Sequence, residues 1–400
     1  MRDTISLRDS ASMRKTLLIR RLCLFGAVVV AAWLAWCWLF PTKVGYDLGW
    51  YQCTGAVFTP DSRYVIASGH SRISLIDVAR RQLIDRFPEE ENKLGIELFE
   101  VVAVSPDSRF VASAGAWKSV RLWDFQTGRV VRTFEVDDTA VNSLAFTPDS
   151  KRLAAGTGFR RSRDGTKWAQ ATYDIWLWDL TKDGDNKVSC HGHDAPVSGI
   201  VFLPDGKRIV SVSGDQTMRM WDVDTRRQVK QQGESIVQSA SMTRRTADER
   251  FLTLFIHASG GGRLTLSRDG RYVMRTSIVW DVEKWDQATW WRHDVRRPGV
   301  NDPLFSGPCA LTPDNKRLVV GGVDPHNGRA GMLSVISMAT GKILFTDHVF
   351  TNFFWTHVGG VSLVAVSPDG RYAVAAGSGG SGQLFVPADP HQLYVYRLPR

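Results

Sequence analysis

Four residues between positions 193 and 215 carry the parts of a nucleophilic site: His193, Ser211, Ser213 and Asp215. A hydroxyl deprotonated by an imidazole, itself oriented by a carboxylate, is the arrangement that acyl-transfer enzymes use. Other chemistries find less in the chain. The nine histidines show no paired spacing suited to a metal. The glycine-rich stretches 260–262 and 377–382 lack the helix and lysine that would follow in a phosphate-cradling loop, and read as turns or flexible loops. Of the five cysteines, Cys23 and Cys37 lie in an apolar run, and Cys53, Cys190 and Cys309 are scattered outside it. Three such residues permit one disulfide at most, and small buried strand residues are the expected role. No cofactor, metal or small-molecule substrate is expected.

The elements that must position these residues are legible around them. Residues 192–223 contain three alternating apolar runs, 197–202, 208–212 and 218–223. A period of two and enrichment in Val and Ile indicate strands. Leu203-Pro204-Asp205-Gly206 joins the first two: proline presets φ, aspartate closes a local hydrogen bond and glycine tolerates positive φ. Gly214-Asp215-Gln216 makes the second turn, and Trp221-Asp222 closes the meander. With Gly192-His193 opening it, this stretch resembles a WD40 repeat. The resemblance implies that His193, Ser211 or Ser213, Asp215 and Trp221 form a buried hydrogen-bonded tetrad. A buried imidazole and a buried indole N–H each need a partner, so the structural reading displaces the catalytic one.

One such unit cannot bury its own faces and must recur. The turn does recur, at Pro60-Asp61-Ser62, Pro106-Asp107-Ser108, Pro148-Asp149-Ser150, Pro204-Asp205-Gly206, Arg268-Asp269-Gly270, Pro313-Asp314-Asn315 and Pro368-Asp369-Gly370. The intervals are 46, 42, 56, 64, 45 and 55 residues, against about 40–45 for a propeller blade. The expected fold class is all-β, a seven-bladed WD40-like β-propeller over residues 43–400.

The blades differ in how well they keep the pattern. Blade 1 has Ile76-Asp77, blade 6 Ile336-Ser337 and blade 7 Tyr396-Arg397 where Trp-Asp would stand. Blade 2 has Trp123-Asp124 but Trp117 where the tetrad needs Asp, so packing alone is expected to hold it. In blade 3, 28 residues separate Ser150 from Trp178, against 15 between Gly206 and Trp221, which places an insertion between its second and third strands. In blade 5 only ten residues separate Gly270 from Trp280. Either its strands are truncated, or residues 249–267 supply them and Trp280-Asp281 is a decoy. Since the chain stops at Arg400, the resemblance implies that an N-terminal strand, residues 44–52, closes the ring and removes an exposed sheet edge.

The formal charge of +9 is uneven: residues 1–43 hold seven Lys/Arg and two Asp, leaving +4 for the rest. That balance gives no reason to expect a nucleic-acid partner. Residues 22–40 are nineteen uncharged residues with Trp33, Trp36, Trp38 and Phe40 at the far end. Length and aromatic belt read as one transmembrane α-helix, a signal anchor preceded by a basic cytoplasmic tail, residues 1–21. The competing reading, a cleaved signal peptide, fits less well with so long a run and with Trp in place of a small-residue cleavage site. The expected placement is a single-pass membrane protein with its N-terminus cytoplasmic and its propeller extracytoplasmic.

The function expected is a non-enzymatic, membrane-anchored scaffold for a protein partner. Two other classes stay open: an extracytoplasmic propeller similar to the TolB kind, and a propeller enzyme with a central-channel site. The docking surface is placed on the face bearing the insertions, with Arg160, Arg161 and Trp168 of blade 3 together with His326, Arg329, Phe354 and Trp355. Aromatic and arginine clusters of this kind anchor interfaces.

Overall fold

The computed structural model describes residues 43–46, 48, 53–69, 72–84, 87, 99–115, 119–136, 140–158, 160–161, 168–169, 173–184, 186–232, 264–275, 278–287, 308–323, 330–351, 361–377 and 393–399. Their regular elements are all strands. Strand β1 (Lys43–Tyr46) precedes blade 1, which comprises β2 (Gly55–Phe58), β3 (Tyr64–Gly69), β4 (Arg72–Asp77) and β5 (Gln82–Ile84). Blade 2 is β6 (Phe99–Val104), β7 (Phe110–Gly115), β8 (Ser119–Asp124) and β9 (Val130–Glu135). Blade 3 begins with β10 (Val141–Phe146) and β11 (Arg152–Thr157). A small hairpin follows, β12 (Arg160–Arg161) with β13 (Trp168–Ala169), before β14 (Tyr173–Asp179) and β15 (Val188–His193) complete it. Blade 4 is β16 (Val197–Phe202), β17 (Arg208–Ser213), β18 (Met218–Asp222) and β19 (Gln228–Gln232).

Blade 5 has four short strands, β20 (Thr265–Leu266), β21 (Tyr272–Arg275), β22 (Ile278–Asp281) and β23 (Asp286–Gln287). Truncation is thus what the structure adopts, and Trp280-Asp281 ends the third strand as in blades 2 to 4. Blade 6 is β24 (Cys309–Leu311), β25 (Arg317–Val323), β26 (Ala330–Ser337) and β27 (Ile343–Thr351). Blade 7 has β28 (Val361–Val366), β29 (Tyr372–Gly377) and β30 (Leu393–Arg397), and its fourth strand is β1, antiparallel to β30 with Lys43 opposite Tyr396 and Tyr46 opposite Leu393. Seven four-stranded antiparallel sheets result among the described residues, which makes the fold an all-β seven-bladed propeller.

The turns show why each blade starts where it does. In blade 1 the Thr59 backbone N–H donates to Tyr64 O, Ser62 N–H to Thr59 O, and the Thr59 hydroxyl to Asp61 Oδ1. The same carboxylate accepts Arg63 N–H. Ser105, Thr147, Ser267, Thr312 and Ser367 bond to the turn aspartate of their own blades in the same way, whereas blade 4 has Leu203 there. The residue after the aspartate is left-handed in all seven turns, from φ +55° at Asn315 to +72° at Gly270. That explains the restriction to Gly, Asn and Ser. An exposed Lys or Arg follows every time: Arg63, Arg109, Lys151, Lys207, Arg271, Lys316 and Arg371.

Packing between blades fixes the rest. Second strands such as β7 and β11 are buried along almost their whole length, because a neighbouring blade covers each face. Small residues are therefore required: a Cβ on Gly156 would come 2.8 Å from Val197 of the next blade, and one on Gly321 2.4 Å from Val361. Each of the seven seams holds an apolar cluster. Val111 and Trp123 meet Ile66 and Leu75 between blades 1 and 2, and Ile209 and Trp221 meet Ile175 between blades 3 and 4. Leu363 and Val374 meet Val65 and Phe58 between blades 7 and 1. The first strands of blades 2, 3, 4 and 7 each carry a register shift near their second residue. Such bulges add the twist that lets a strand line a ring.

Residues 1–42 lie outside the described residues, and with them the expected transmembrane helix at 22–40. Among the described residues no helix is long and apolar enough to cross a membrane.

Candidate functional site

The residues singled out in blade 4 converge on one buried network. His193 ends β15, Ser211 sits in β17, Asp215 occupies the β17–β18 turn and Trp221 lies in β18. The Trp221 indole N–H donates to Ser211 Oγ at 2.7 Å. His193 Nε2 lies 2.7 Å from the same oxygen, and His193 Nδ1 lies 2.7 Å from Asp215 Oδ2. One assignment satisfies every atom: indole N–H to serine, serine O–H to Nε2, Nδ1–H to carboxylate. It requires a neutral imidazole.

The electrostatics agree. The His193 side chain is 1% exposed and Asp215 7%. Burial pulls the His193 pKa below its usual value, although the Asp215 carboxylate pulls the other way. Burial on its own would raise the Asp215 pKa. Hydrogen bonds from Thr217 and His193 outweigh it and hold the group down at about 2. Arg219 Nη2 also lies 3.3 Å from Asp215 Oδ2 and its Nη1 donates to Gly192 O, tying the turn to β15. Ser213, the other serine left open by the sequence, donates to Ala195 O and accepts Asp215 N–H, so it shapes the turn outside this relay. As a catalyst the set fails on access: the Ser211 hydroxyl already serves two partners and the residue has no exposed surface. As a clamp joining the fourth strand of blade 3 to two strands of blade 4, it uses every group it has.

Other blades keep fragments of this clamp. In blade 2 the Trp123 indole N–H donates to Ser113 Oγ at 2.8 Å. The expectation that packing alone holds blade 2 is therefore corrected; the lost aspartate does not prevent the serine–tryptophan half from forming. In blade 5, where Arg275 stands at the Ser211 position, Trp280 Nε1 is buried with no hydrogen-bond partner.

A second imidazole relay was not read from the sequence. His191 Nδ1 lies 2.7 Å from Asp174 Oδ1, and its Nε2 lies 2.7 Å from Ser189 Oγ. Asp174 sits at the register shift between Tyr173 and Ile175, which brings its carboxylate to the β15 edge. Ser189-Cys190-His191 places hydroxyl and imidazole on one side of a strand, and that spacing was the available signal. The order is nucleophile, base and carboxylate, but the His191 side chain is 68% exposed. Water therefore competes for every bond that dry active sites strengthen.

The expected docking residues divide differently. The hairpin β12–β13 lies between the second and third strands of blade 3, where the insertion was placed, and pairs Arg160 with Ala169 and Arg161 with Trp168. His326, Arg329, Phe354 and Trp355 lie outside the described residues. Cys53, Cys190 and Cys309 are buried thiols rather than a disulfide, and burial pushes those of Cys190 and Cys309 up to about 12. Among the described residues no group of His, Cys, Asp and Glu is arranged to hold a metal.

Comparison with known proteins agrees with this architecture. The family described as WD domain, G-beta repeat matches residues 100–124, 128–166 and 184–222. Eukaryotic translation initiation factor 3 subunit I of Aspergillus oryzae is 27% identical over 311 residues, 75% of this chain and 82% of the relative. Periodic tryptophan protein 2 of Arabidopsis thaliana is 27% identical over 203 residues, 50% of this chain and 20% of the relative. The WD repeat-containing protein WDS homolog of the same plant is 24% identical over 201 residues, 50% of this chain and 31% of the relative. These matches correct one expectation. The single-pass placement with an extracytoplasmic propeller is overturned, because relatives aligned over 82% of their length are named as a translation initiation factor subunit.

Proposed function

We propose that this WD40-repeat propeller is a non-enzymatic scaffold that docks other proteins. The buried tetrad carries the reading: the residues of blade 4 best able to do chemistry are consumed in holding strands together. A rigid ring with variable connections is what a scaffold needs, since the sheets fix the loops and the loops are free to vary. Support also comes from the relatives, several of which are named as a subunit of a larger factor.

The docking face in this reading bears the connections between second and third strands and those from one blade to the next. Its contributors are the β12–β13 hairpin, with Arg160, Arg161 and Trp168, and the loops carrying His326, Arg329, Phe354 and Trp355. The test replaces Arg160, Arg161 and Trp168 together by alanine and measures recovery of crosslinked partners by affinity capture of the tagged chain. The expected result is loss of recovery with melting unchanged; undiminished recovery removes the blade 3 hairpin from the surface.

A further inference from the structure

We propose that the opposite face carries a basic sector, spanning blades 6, 7 and 1, that docks an acidic segment of a protein partner. In an antiparallel four-strand blade, the first-to-second and third-to-fourth connections lie at the same end. Blades 1 to 6 therefore each offer this face two turns, and blade 7 offers one turn and the end of β30, so the charges can be compared blade by blade.

Among the described residues blades 2 and 5 are balanced, one carboxylate for each cation, and blades 3 and 4 each carry a single extra cation. The balance has a structural origin. Where Trp-Asp closes the third strand, its aspartate sits near the base that follows the first turn. Arg271 Nε lies 3.3 Å from Asp281 Oδ2. Hydrogen bonds from Thr127 and Thr225 hold the Asp124 and Asp222 carboxyls below their usual range, and Arg109 and Lys207 add a smaller pull in the same direction. Blades 6 and 7 have Ser337 and Arg397 in that place. Blade 1 keeps Asp77, but it is buried and its carboxylate accepts Arg80 N–H.

What remains is an excess of exposed cations, chiefly Arg80, Arg81, Lys342, Arg371 and Arg397. The first-to-second turns of the three blades touch, which seats Arg371 between blades 6 and 1, and beside Arg397 the chain end is tied to blade 6 where Arg317 Nη1 donates to Pro399 O. Asp369 N–H donates to Ser62 Oγ at 3.0 Å across the seam between blades 7 and 1. A Cβ on Gly370 would come 3.1 Å from Pro313 of blade 6. Burial raises the pKa of the Tyr46 hydroxyl in β1, and the nearby Arg81 opposes that rise in part.

The exposed turn carboxylates Asp61, Asp314 and Asp369 interrupt the patch. Each is fixed by hydrogen bonds from its own turn, and Asp369 also lies 3.8 Å from Arg371 Nε. They set the chemistry of the occupant. Duplex DNA carries a charge about every 1.7 Å along its axis and would press phosphates onto them. An extended peptide advances about 3.3 Å per residue and can alternate acidic with neutral side chains to avoid them. Complementarity of this kind speeds association and selects the partner.

This proposal rests on the reading of the propeller as a protein-docking scaffold, but its test uses no native partner, so the two fail separately. Binding of a fluorescein-labelled peptide, a threefold repeat of Glu-Gly-Asp-Ser, is followed by anisotropy at rising salt. Thymidine dodecamer and phosphatidylcholine/phosphatidylserine vesicles serve as rival anions. Peptide binding should weaken with salt and fall at least tenfold in Arg80→Glu/Arg81→Glu/Arg371→Glu/Arg397→Glu. Arg109→Glu/Lys151→Glu, in blades 2 and 3, should stay within threefold of the unmodified chain. If the quadruple reversal melts early, the same four positions changed to glutamine give the comparison. Absence of peptide binding, equal loss in both variants, or tighter binding of the oligonucleotide or the vesicles would overturn the proposal.

Discussion

Ser211→Ala tests the argument that the polar residues of blade 4 are structural. The hydroxyl serves both Trp221 Nε1 and His193 Nε2, each at 2.7 Å, and the residue has no exposed surface. Its removal strands two buried polar atoms. Each such atom costs about 1–3 kcal/mol, so destabilisation of about 2–6 kcal/mol is expected. Ser113→Ala in blade 2 is the internal reference, since it withdraws the hydroxyl from Trp123 alone; about 1–3 kcal/mol is expected there. Urea unfolding followed by tryptophan fluorescence gives both values, compared as midpoints at equal slope so that a changed denatured state is not mistaken for a lost bond. Ser211→Thr, which keeps the hydroxyl, should recover most of the loss. If Ser211→Ala costs no more than Ser113→Ala, the shared hydroxyl does not couple the two rings and the clamp is misread.

Acid should weaken the fold in two separate windows. His193, with its folded pKa lowered, stabilises fully above the unfolded value of 6.5 and loses that contribution as pH falls below it. Asp215 contributes above 3.8 and loses its share as pH falls toward about 2. Thermal melts of the unmodified chain and His193→Gln across this range should differ in slope below pH 6.5, and parallel curves would refute the neutral-imidazole assignment. Gly270→Ala should destabilise more than Gly206→Ala. Both have positive φ, which costs about 1–2 kcal/mol for a Cβ, but at Gly270 the Cβ would also lie 2.3 Å from Pro204 Cγ, against 3.7 Å from the nearest atom at Gly206. Equal melting temperatures would show that the turn ring yields. Deleting residues 43–48 should lower the melting temperature of the whole chain, because β30 loses its partner strand and the buried Tyr46 and Leu48 are lost; unchanged melting would mean that blade 7 stands on three strands. Finally, Ser189 should resist a fluorophosphonate probe, and covalent labelling abolished by His191→Ala would show that the exposed relay is an active nucleophile.

The sequence by itself determined the strand period, the seven turns and the blade count, because each rests on interactions spanning only a few residues. A proline, an aspartate that caps its own turn and a residue tolerant of φ near +60° specify the turn wherever they occur, as at residues 60–62 and 368–370 alike. Blade 5 stayed ambiguous because its strands are too short for a periodic signal, and only the pairing of Tyr272 with Asp281 decided its register. Tertiary structure also separated Ser211 from Ser213: they point to the same side of β17, and the Trp221 indole and the His193 ring arriving from the neighbouring blade both choose Ser211. It brought Asp174 to His191 through a register shift that no local pattern announces. By closing the ring it set blade 1, with Arg80, beside blade 7, with Arg371 and Arg397 about three hundred positions later in the chain. Turn geometry depends on local steric and hydrogen-bonding terms, which sequence carries directly. Partner choice and surface charge depend on which strands become neighbours, and packing across the seams settles that only when all seven blades are in place.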